Sequence, residues 1–186
     1  MAHLNARYKN IIFDLGGVMI EWAPEKFLRE VFTGQERIPT ELSQVFGSLL
    51  WAAHDGGWFS REELIAKLPE QYDRDLFRVF VTQLADLMHP IIPMIDLFYE
   101  LKAQGYKVYF LSNMPREMYH ELVARHDFLK HPDGQLISFQ VGSIKPMPQI
   151  YQALLSMHGL DPKESLFIDD LEWNIEAARK LGIEGI

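Results

Sequence analysis

The sequence contains no cysteine, which excludes disulfide bridges and thiolate metal sites. It has no apolar run of membrane-spanning length, and residues 1–5 lack the apolar core of a signal peptide. Basic residues are outnumbered, 18 against 26 acidic ones, and the net charge of −8 without any basic run argues against a nucleic-acid surface. We therefore expect a cytoplasmic protein that binds neither nucleic acid nor membrane.

The 186 residues are enough for one domain with a proper core and a small insertion. From Pro90 onward, short apolar strands alternate with helices, which predicts βαβ units and a parallel sheet, with a weak strand at residues 137–139. Residues 22–88 instead contain four helical segments and no strand. The predicted fold class is α/β, a doubly wound domain of residues 1–21 and 89–186 with a helical cap, residues 22–88, inserted after the first strand.

Several local features of the insert and the C-terminus can be predicted. A helix is expected to begin at Pro24, and a second one to run from about Thr40 to Trp51. The Asp-Gly-Gly content of residues 54–59 predicts a turn, and residues 60–63 (Ser-Arg-Glu-Glu) fit a capping box that opens another helix. The sequence stops at Ile186, where a further edge strand would begin. We expect either a shortened chain or a sheet that is one strand short.

Polar side chains follow three of the predicted strands at the point where each strand ends. These residues are Asp14 after Ile11-Ile12-Phe13, Ser112-Asn113 after Val108–Leu111, and Asp169-Asp170 after Leu166–Ile168. Because the ends of parallel strands meet at one edge of a sheet, the polar groups are expected to converge there. Converging carboxylates such as Asp14 and Asp170 repel one another unless a cation joins them, and Mg²⁺ suits such oxygen ligands.

The same edge offers groups that could bind a phosphate. The candidates are the side chains of Lys145 and Ser112 and the backbone amides of Leu15, Gly16 and Asn113. A carboxylate held against a metal-bound phosphate can act as a nucleophile and form an aspartyl-phosphate. The predicted site therefore indicates phosphoryl transfer, with Asp14 as the attacking group.

Four motifs resemble those of the haloacid dehalogenase superfamily, in the order that the family has them. They are Phe13-Asp14-Leu15-Gly16-Gly17-Val18, Leu111-Ser112-Asn113, Lys145-Pro146 with Ile150-Tyr151, and Phe167-Ile168-Asp169-Asp170 followed by Asn174-Ile175-Glu176-Ala177-Ala178. The resemblance covers nearly the whole chain. The chain most resembles the branch with a small helical cap after the first motif, which includes sugar-phosphate phosphatases and the N-terminal domain of soluble epoxide hydrolase.

This resemblance implies a role for each matching residue. Asp14 would be the nucleophile and a metal ligand, and the backbone carbonyl at Gly16 together with Asp170 would complete the Mg²⁺ ligands. Ser112 and Lys145 would hold the phosphoryl group, while Asp169 and Asn174 would support the metal shell. The helical insert would be a mobile cap that shapes access to the substrate.

One position departs from the family pattern. Phosphatases of this family usually carry an aspartate two residues after the nucleophile, which protonates the leaving oxygen and activates water, and here that residue is Gly16. Such acid–base assistance typically contributes ~10²–10⁴-fold to the rate. Its loss implies slow turnover, a substrate with a good leaving group, or a proton donor in the cap. His54 and Asp55 are candidates for that donor, although their turn could equally lie at the surface, and Trp22 either lines the entrance or packs in the core.

The sequence thus predicts a Mg²⁺-dependent hydrolase whose partner is a small phosphorylated metabolite, a phosphate monoester. One alternative is a non-catalytic protein, phospho-ligand-binding or regulatory, and Gly16 supports that reading. A second alternative is a metal-free 2-haloacid dehalogenase that acts through an ester at Asp14, against which the pair Asp169-Asp170 counts.

Overall fold

The computed structural model describes residues 7–186, so residues 1–5, on which the argument against a signal peptide rests, lie outside it. Its centre is a five-stranded parallel sheet with the strand order β3-β2-β1-β4-β5. The strands are β1 (Asn10–Phe13), β2 (Lys107–Ser112), β3 (Gly134–Ile137), β4 (Ser165–Ile168) and β5 (Glu184–Gly185). The first strand is therefore the central one, and Phe13 pairs with Phe110 on one side and with Ile168 on the other.

The helices divide into two groups. They are α1 (Pro24–Val31), α2 (Leu49–Asp55), α3 (Arg61–Lys67), α4 (Arg74–Leu87), α5 (Ile92–Ala103), α6 (Arg116–Arg125), α7 (Pro148–His158) and α8 (Glu172–Lys180). Helices α1–α4 lie between β1 and β2 and form what we call the helical insert, residues 24–87. Helices α5–α8 alternate with the strands, which confirms the predicted α/β fold class; the domain limits at residues 22 and 88 stay a prediction.

The sheet separates two apolar cores because successive side chains of a strand point to opposite faces. Ile11 and Phe13 belong to a core that includes Phe98 of α5 and the apolar side chains of the helical insert. Ile12 points to the other face, where it joins Tyr151 of α7. The insert and one face of the sheet thus contribute side chains to the same apolar core. No helix among residues 7–186 is both long and apolar enough to cross a membrane.

Two predictions for the insert are corrected by hydrogen bonds at helix ends. The expected helix 40–51 is interrupted: a 3₁₀ helix covers Thr40–Gly47, and Ser48 then caps α2 by accepting a bond of 3.2 Å from the Trp51 amide. The expected turn 54–59 begins later than predicted, because α2 continues through Asp55 before Gly56 ends it. The capping box at Ser60 is confirmed.

Two strands also differ from expectation. The third strand ends at Ile137 rather than covering residues 137–139, because the hydroxyl of Ser138 bonds outside the sheet and Gln140 accepts the Ile137 amide at 2.8 Å. At the C-terminus, an edge strand does form: the Ile186 amide donates to Phe167 at 3.0 Å, and the two-residue β5 pairs with β4. Of the two alternatives, a sheet that lacks this edge strand is therefore wrong.

Candidate active site

The carboxyl edge of the sheet brings together three side chains that are far apart in sequence. Asp14 directly follows β1, Ser112 ends β2, and Asp169 directly follows β4. The Asp14 amide still donates to the Ile168 carbonyl, 2.9 Å away, so the sheet register persists to this point. Asp14 and Asp169 consequently leave the sheet side by side, each one residue beyond a paired position.

Lys145 lies between these two carboxylates. Its Nζ is 2.8 Å from Asp14 Oδ1 and 2.6 Å from Asp169 Oδ2, and no more than 9% of any of the three side chains is exposed. Asn113 holds the lysine backbone in place, because its Nδ2 donates to the Lys145 carbonyl at 2.9 Å and its Oδ1 accepts the Lys145 amide at 2.7 Å. This reciprocal pair joins two motifs that are 32 residues apart. Nothing in the sequence pattern indicated it.

The pKa shifts of Asp14, Lys145 and Asp170 reflect an excess of negative charge at this site. Burial and the charge of Asp169 together raise the pKa of Asp14 to about 6, although the charge and hydrogen bond of Lys145 act in the opposite direction. Burial lowers the pKa of Lys145, but the charges of Asp14 and Asp169 outweigh this and the net shift is upward. Partial removal of its carboxyl group from solvent and the charge of Asp169 also raise the pKa of Asp170. An additional cation would stabilise all three carboxylates.

The donor atoms fit a divalent metal ion. One carboxylate oxygen from each of Asp14, Asp169 and Asp170 lies within 4.8 Å of the others. Close by, Oδ1 of Asn174 is buried without a hydrogen-bond partner, which leaves an unused acceptor beside the carboxylates. Carboxylate and amide oxygens are the ligands that Mg²⁺ takes in proteins, so this set of residues fits the predicted ion.

Asp169 and Asp170 are neighbours in sequence, but their carboxylates lie in different surroundings. Asp169 Oδ2 binds Lys145, and its Oδ1 accepts bonds of 2.9 Å from the Leu171 amide and from Asn174 Nδ2. Asp170, by contrast, is exposed. The Asp170 carboxylate is thus the more accessible of the two, and the supporting role of Asp169 and Asn174 stays a prediction.

Gly17 allows Asp170 to approach the loop after β1. Its φ is +83°, and a Cβ at this position would lie 2.5 Å from Asp170 Oδ2. Only glycine meets both requirements without strain. Gly16 is different: its φ is not positive, and a Cβ there would make ordinary contacts of 3.7 and 3.8 Å with Trp22. The absence of a side chain at position 16 is therefore not imposed by the backbone.

The predicted phosphate-binding groups lie at the same edge, in two different arrangements. The Leu15 amide donates to Asp14 Oδ1 at 2.7 Å, so here it orients the nucleophile candidate. Gly16, Ser112, Asn113 and Lys145 instead line an open cavity of about 270 Å³ between the sheet edge and the helical insert. Their phosphate-binding role stays a prediction.

Eight apolar residues also line this cavity. They are Trp22, Phe46, Trp51, Met88, Met114, Pro115, Met118 and Leu171. The rings of Trp22, Phe46 and Trp51 form a cluster with centroid distances of 5.4, 4.4 and 6.3 Å. Trp22 lines the cavity, one of its two predicted positions. The sequence did not identify the others as lining residues, because apolar residues at helical spacing look the same whether they face a core or a cavity.

The two proton-donor candidates of the insert are placed differently. His54 is buried away from the cavity, with Nδ1 2.7 Å from the Phe59 carbonyl and its ring against Trp51. Asp55 lines the cavity together with Asp14 and Lys145. Burial raises the pKa of Asp55 well above its usual range and the charge of Asp14 adds to this, while Lys145 and a hydrogen bond with Trp51 lower it.

The chain is similar to known proteins over nearly its whole length. Residues 8–182 match the family model described as haloacid dehalogenase-like hydrolase. A sesquiterpene phosphatase from Aspergillus oryzae is 28% identical over 96% of this chain and 89% of its own length. A D-ribitol-5-phosphate phosphatase from Bacteroides thetaiotaomicron is 27% identical over 95% of this chain and 89% of its own. A solved structure of a family enzyme from the same bacterium, in complex with magnesium and inorganic phosphate, superposes with a TM-score of 0.73 at 23% identity, covering 96% of this chain and 93% of that one.

Proposed function

The chain belongs to the haloacid dehalogenase-like hydrolases, and on that premise we propose that it is a Mg²⁺-dependent phosphatase of small phosphate monoesters. The observation that carries the proposal is the buried group of Asp14, Lys145 and Asp169 with Asp170 beside it, where negative charge exceeds positive charge. Asp14, Asp170 and the Gly16 carbonyl would hold the ion, and Asp169 and Asn174 would keep these ligands in place. When bound, Mg²⁺ would offset the negative charge of the carboxylates and of the phosphoryl oxygens.

In the proposed reaction, an Asp14 oxygen attacks the phosphorus atom of the substrate. The bond between phosphorus and the ester oxygen breaks, its electron pair stays on the leaving oxygen, and an aspartyl-phosphate remains. Lys145 balances the charge of the phosphoryl oxygens, and the Ser112 hydroxyl donates a hydrogen bond to them. Water then attacks phosphorus, which releases inorganic phosphate and restores the Asp14 carboxylate.

The test is hydrolysis of an activated aryl phosphate by the wild type and by Asp14→Asn, with Mg²⁺ and with EDTA. We expect turnover by the wild type with Mg²⁺ only, at least about 10³-fold above Asp14→Asn, because the nucleophile has no substitute. Wild-type turnover no faster than that of Asp14→Asn would refute the proposal. Tight binding of phosphate without turnover would point to the regulatory alternative, and halide release from a 2-haloacid with EDTA present would point to a dehalogenase.

The substrate that the cavity fits best is a phosphate monoester whose organic group is apolar. The phosphate end is polar, whereas the aromatic cluster of Trp22, Phe46 and Trp51 and three methionines line the remainder. A sugar would leave its hydroxyl groups facing these apolar walls, at a desolvation cost of ~1–3 kcal/mol for each hydroxyl that lacks a partner. The sesquiterpene phosphatase among the relatives supports the same class of substrate.

A panel of prenyl, alkyl and sugar phosphates of similar size tests this preference. We expect kcat/KM for the apolar esters to exceed that for sugar phosphates by at least about tenfold, the ratio that 1.4 kcal/mol corresponds to. Trp22→Ser should reduce this ratio mainly through KM, while Trp58→Ser, which alters a tryptophan that does not line the cavity, should leave it unchanged. Equal rates for both classes would overturn the assignment.

A further inference from the structure

We propose that Asp55, on the helical insert, is the general acid and base of the reaction and replaces the side chain that Gly16 lacks. This inference rests on the proposed phosphatase function and adds a catalytic residue to it. Two parts of the protein line the cavity from different sides. The nucleophile Asp14 and the predicted phosphate-binding residues come from the sheet edge, and Asp55 faces the same cavity from α2.

The position of Asp55 is determined by contacts with the core of the protein. Its backbone carbonyl accepts a bond of 2.5 Å from the Ser138 hydroxyl, and the same hydroxyl accepts the Met114 amide at 2.9 Å. Ser138 and Met114 both lie just beyond strand ends, so one serine ties the last residue of α2 to the carboxyl edge of the sheet. This bond holds the backbone of Asp55 against the sheet edge, and the Trp51 side chain holds the carboxyl group itself through a hydrogen bond.

The charges around Asp55 suit a group that must exchange a proton. Its carboxyl group is partly buried, and Asp14 and Lys145 are close enough for their charges to act on it. Burial and the repulsion from Asp14 raise its pKa, which favours the protonated acid that a leaving alkoxide requires. The Trp51 side chain, one turn earlier in α2, also forms a hydrogen bond with the carboxyl group. No comparable acid is available at His54, whose ring nitrogen is engaged with Phe59.

The proposed proton transfers balance over the two half-reactions. In the first, the Asp55 carboxyl proton passes to the ester oxygen as its bond to phosphorus breaks, which yields a neutral alcohol, the aspartyl-phosphate at Asp14 and an Asp55 carboxylate. In the second, that carboxylate takes a proton from the water molecule whose oxygen attacks phosphorus. The bond between phosphorus and Asp14 then breaks, and the products are phosphate, the Asp14 carboxylate and protonated Asp55.

The test compares Asp55→Asn with the wild type on substrates that differ in how much they need an acid. An alkyl phosphate leaves as a strongly basic alkoxide, whereas a nitrophenyl phosphate leaves as a stable phenolate. We expect Asp55→Asn to lower kcat on the alkyl phosphate by ~10²–10⁴-fold and on the nitrophenyl phosphate by less than about tenfold. The double variant Asp55→Asn/Gly16→Asp should recover at least part of the alkyl phosphatase rate, because a Cβ at position 16 meets only ordinary contacts.

Two controls separate catalysis from structure. Calorimetric binding of vanadate with Mg²⁺ should be unchanged in Asp55→Asn, and Asp75→Asn, an exposed aspartate of α4 outside the cavity, should behave as wild type on both substrates. If Asp55→Asn lost equal activity on both substrates, or kept its alkyl phosphatase rate, the catalytic role of Asp55 would be refuted and the proposed phosphatase function would not be affected. Absence of Mg²⁺-dependent turnover of nitrophenyl phosphate by the wild type would instead refute the proposed function, so the two failures are distinguishable.

Discussion

Two lysine–carboxylate clusters lie at opposite edges of the same sheet. At the amino edge, Asp133 accepts bonds of 2.8 Å from both Lys102 and Lys107 and one of 3.1 Å from the Val108 amide. Burial would raise the pKa of Asp133, but these donors outweigh it and lower the pKa to about 2. We call Lys102, Lys107 and Asp133 the amino-edge cluster, in which two ammonium groups form ion pairs with one carboxylate.

At the carboxyl edge the ratio is reversed. One ammonium group, that of Lys145, is set among Asp14, Asp169 and Asp170, and the pKa of Asp14 rises to about 6. We call these four residues the carboxyl-edge cluster. In the amino-edge cluster the one carboxylate is fully paired, and the two ammonium groups remain partly exposed to solvent. The carboxyl-edge cluster has more negative than positive charge, as expected of a site that binds a cation and a substrate.

The largest expected effect comes from removing one lysine from each cluster. Lys145→Met should lower the free energy of unfolding by ~3–5 kcal/mol at pH 7 without Mg²⁺, because it leaves buried carboxylates without their cation. Lys107→Met should cost much less, because that side chain is exposed to solvent and Asp133 keeps its ion pair with Lys102. Urea unfolding of both variants measures the difference. Similar losses for the two would contradict the distinction between the clusters.

The next effect is stabilisation by the metal ion. Saturating Mg²⁺, at about ten to a hundred times its dissociation constant, should raise the free energy of unfolding by ~1–3 kcal/mol. Asp170→Asn should reduce this gain, while Asp133→Asn should retain it. Urea midpoints with MgCl₂ and with NaCl of equal ionic strength provide the measurement, and a gain that survives Asp170→Asn would place the ion elsewhere.

Gly17 and Gly34 offer a matched pair for the crowding at the carboxyl edge. Both have positive φ, +83° and +82°, but a Cβ at Gly34 meets nothing within 4 Å, whereas one at Gly17 meets Asp170. Gly34→Ala should cost ~1 kcal/mol from backbone strain alone, and Gly17→Ala at least ~1 kcal/mol more. Calorimetric Mg²⁺ titration should show weaker binding for Gly17→Ala only. Unchanged affinity in that variant would argue against Asp170 as a ligand.

The smallest effect concerns pH, and its sign differs between the clusters. The pKa of Asp133 is depressed, so its ionised form stabilises the protein above about pH 4, and this contribution is lost as pH falls through about 2. Asp133→Asn should therefore cost ~1 kcal/mol at pH 7 and almost nothing near pH 2.

Asp14 should show the opposite dependence. Its pKa is raised, so ionising it in the folded protein costs stability as pH rises from about 4 to about 6. Without Mg²⁺, Asp14→Asn should gain stability relative to the wild type across this interval. Unfolding curves at several pH values measure both trends, and parallel curves for the two variants would show that the clusters do not differ in this respect.

Much of this arrangement could be predicted because it depends on local pattern. Short apolar runs that end in Asp14, Ser112 and Asp169 indicated a parallel sheet and the edge at which its polar groups meet. The capping box at Ser60 was equally predictable, since its two partners are three residues apart. The end of α2 was not: Asp55 was placed in a turn, whereas it is the last helical residue and its carbonyl is bound by Ser138, 83 positions away.

The sequence alone therefore determined the fold class, the order of the motifs and the edge of the sheet at which they meet, because strand and helix periodicities are properties of neighbouring residues. The tertiary structure alone decided that Lys145 lies between Asp14 and Asp169, that the aromatic rings of the insert line the cavity, and that Asp55 rather than His54 faces it. These facts depend on contacts between segments that are distant along the chain. The distances and burial that follow from such contacts also set the charge balance of the site.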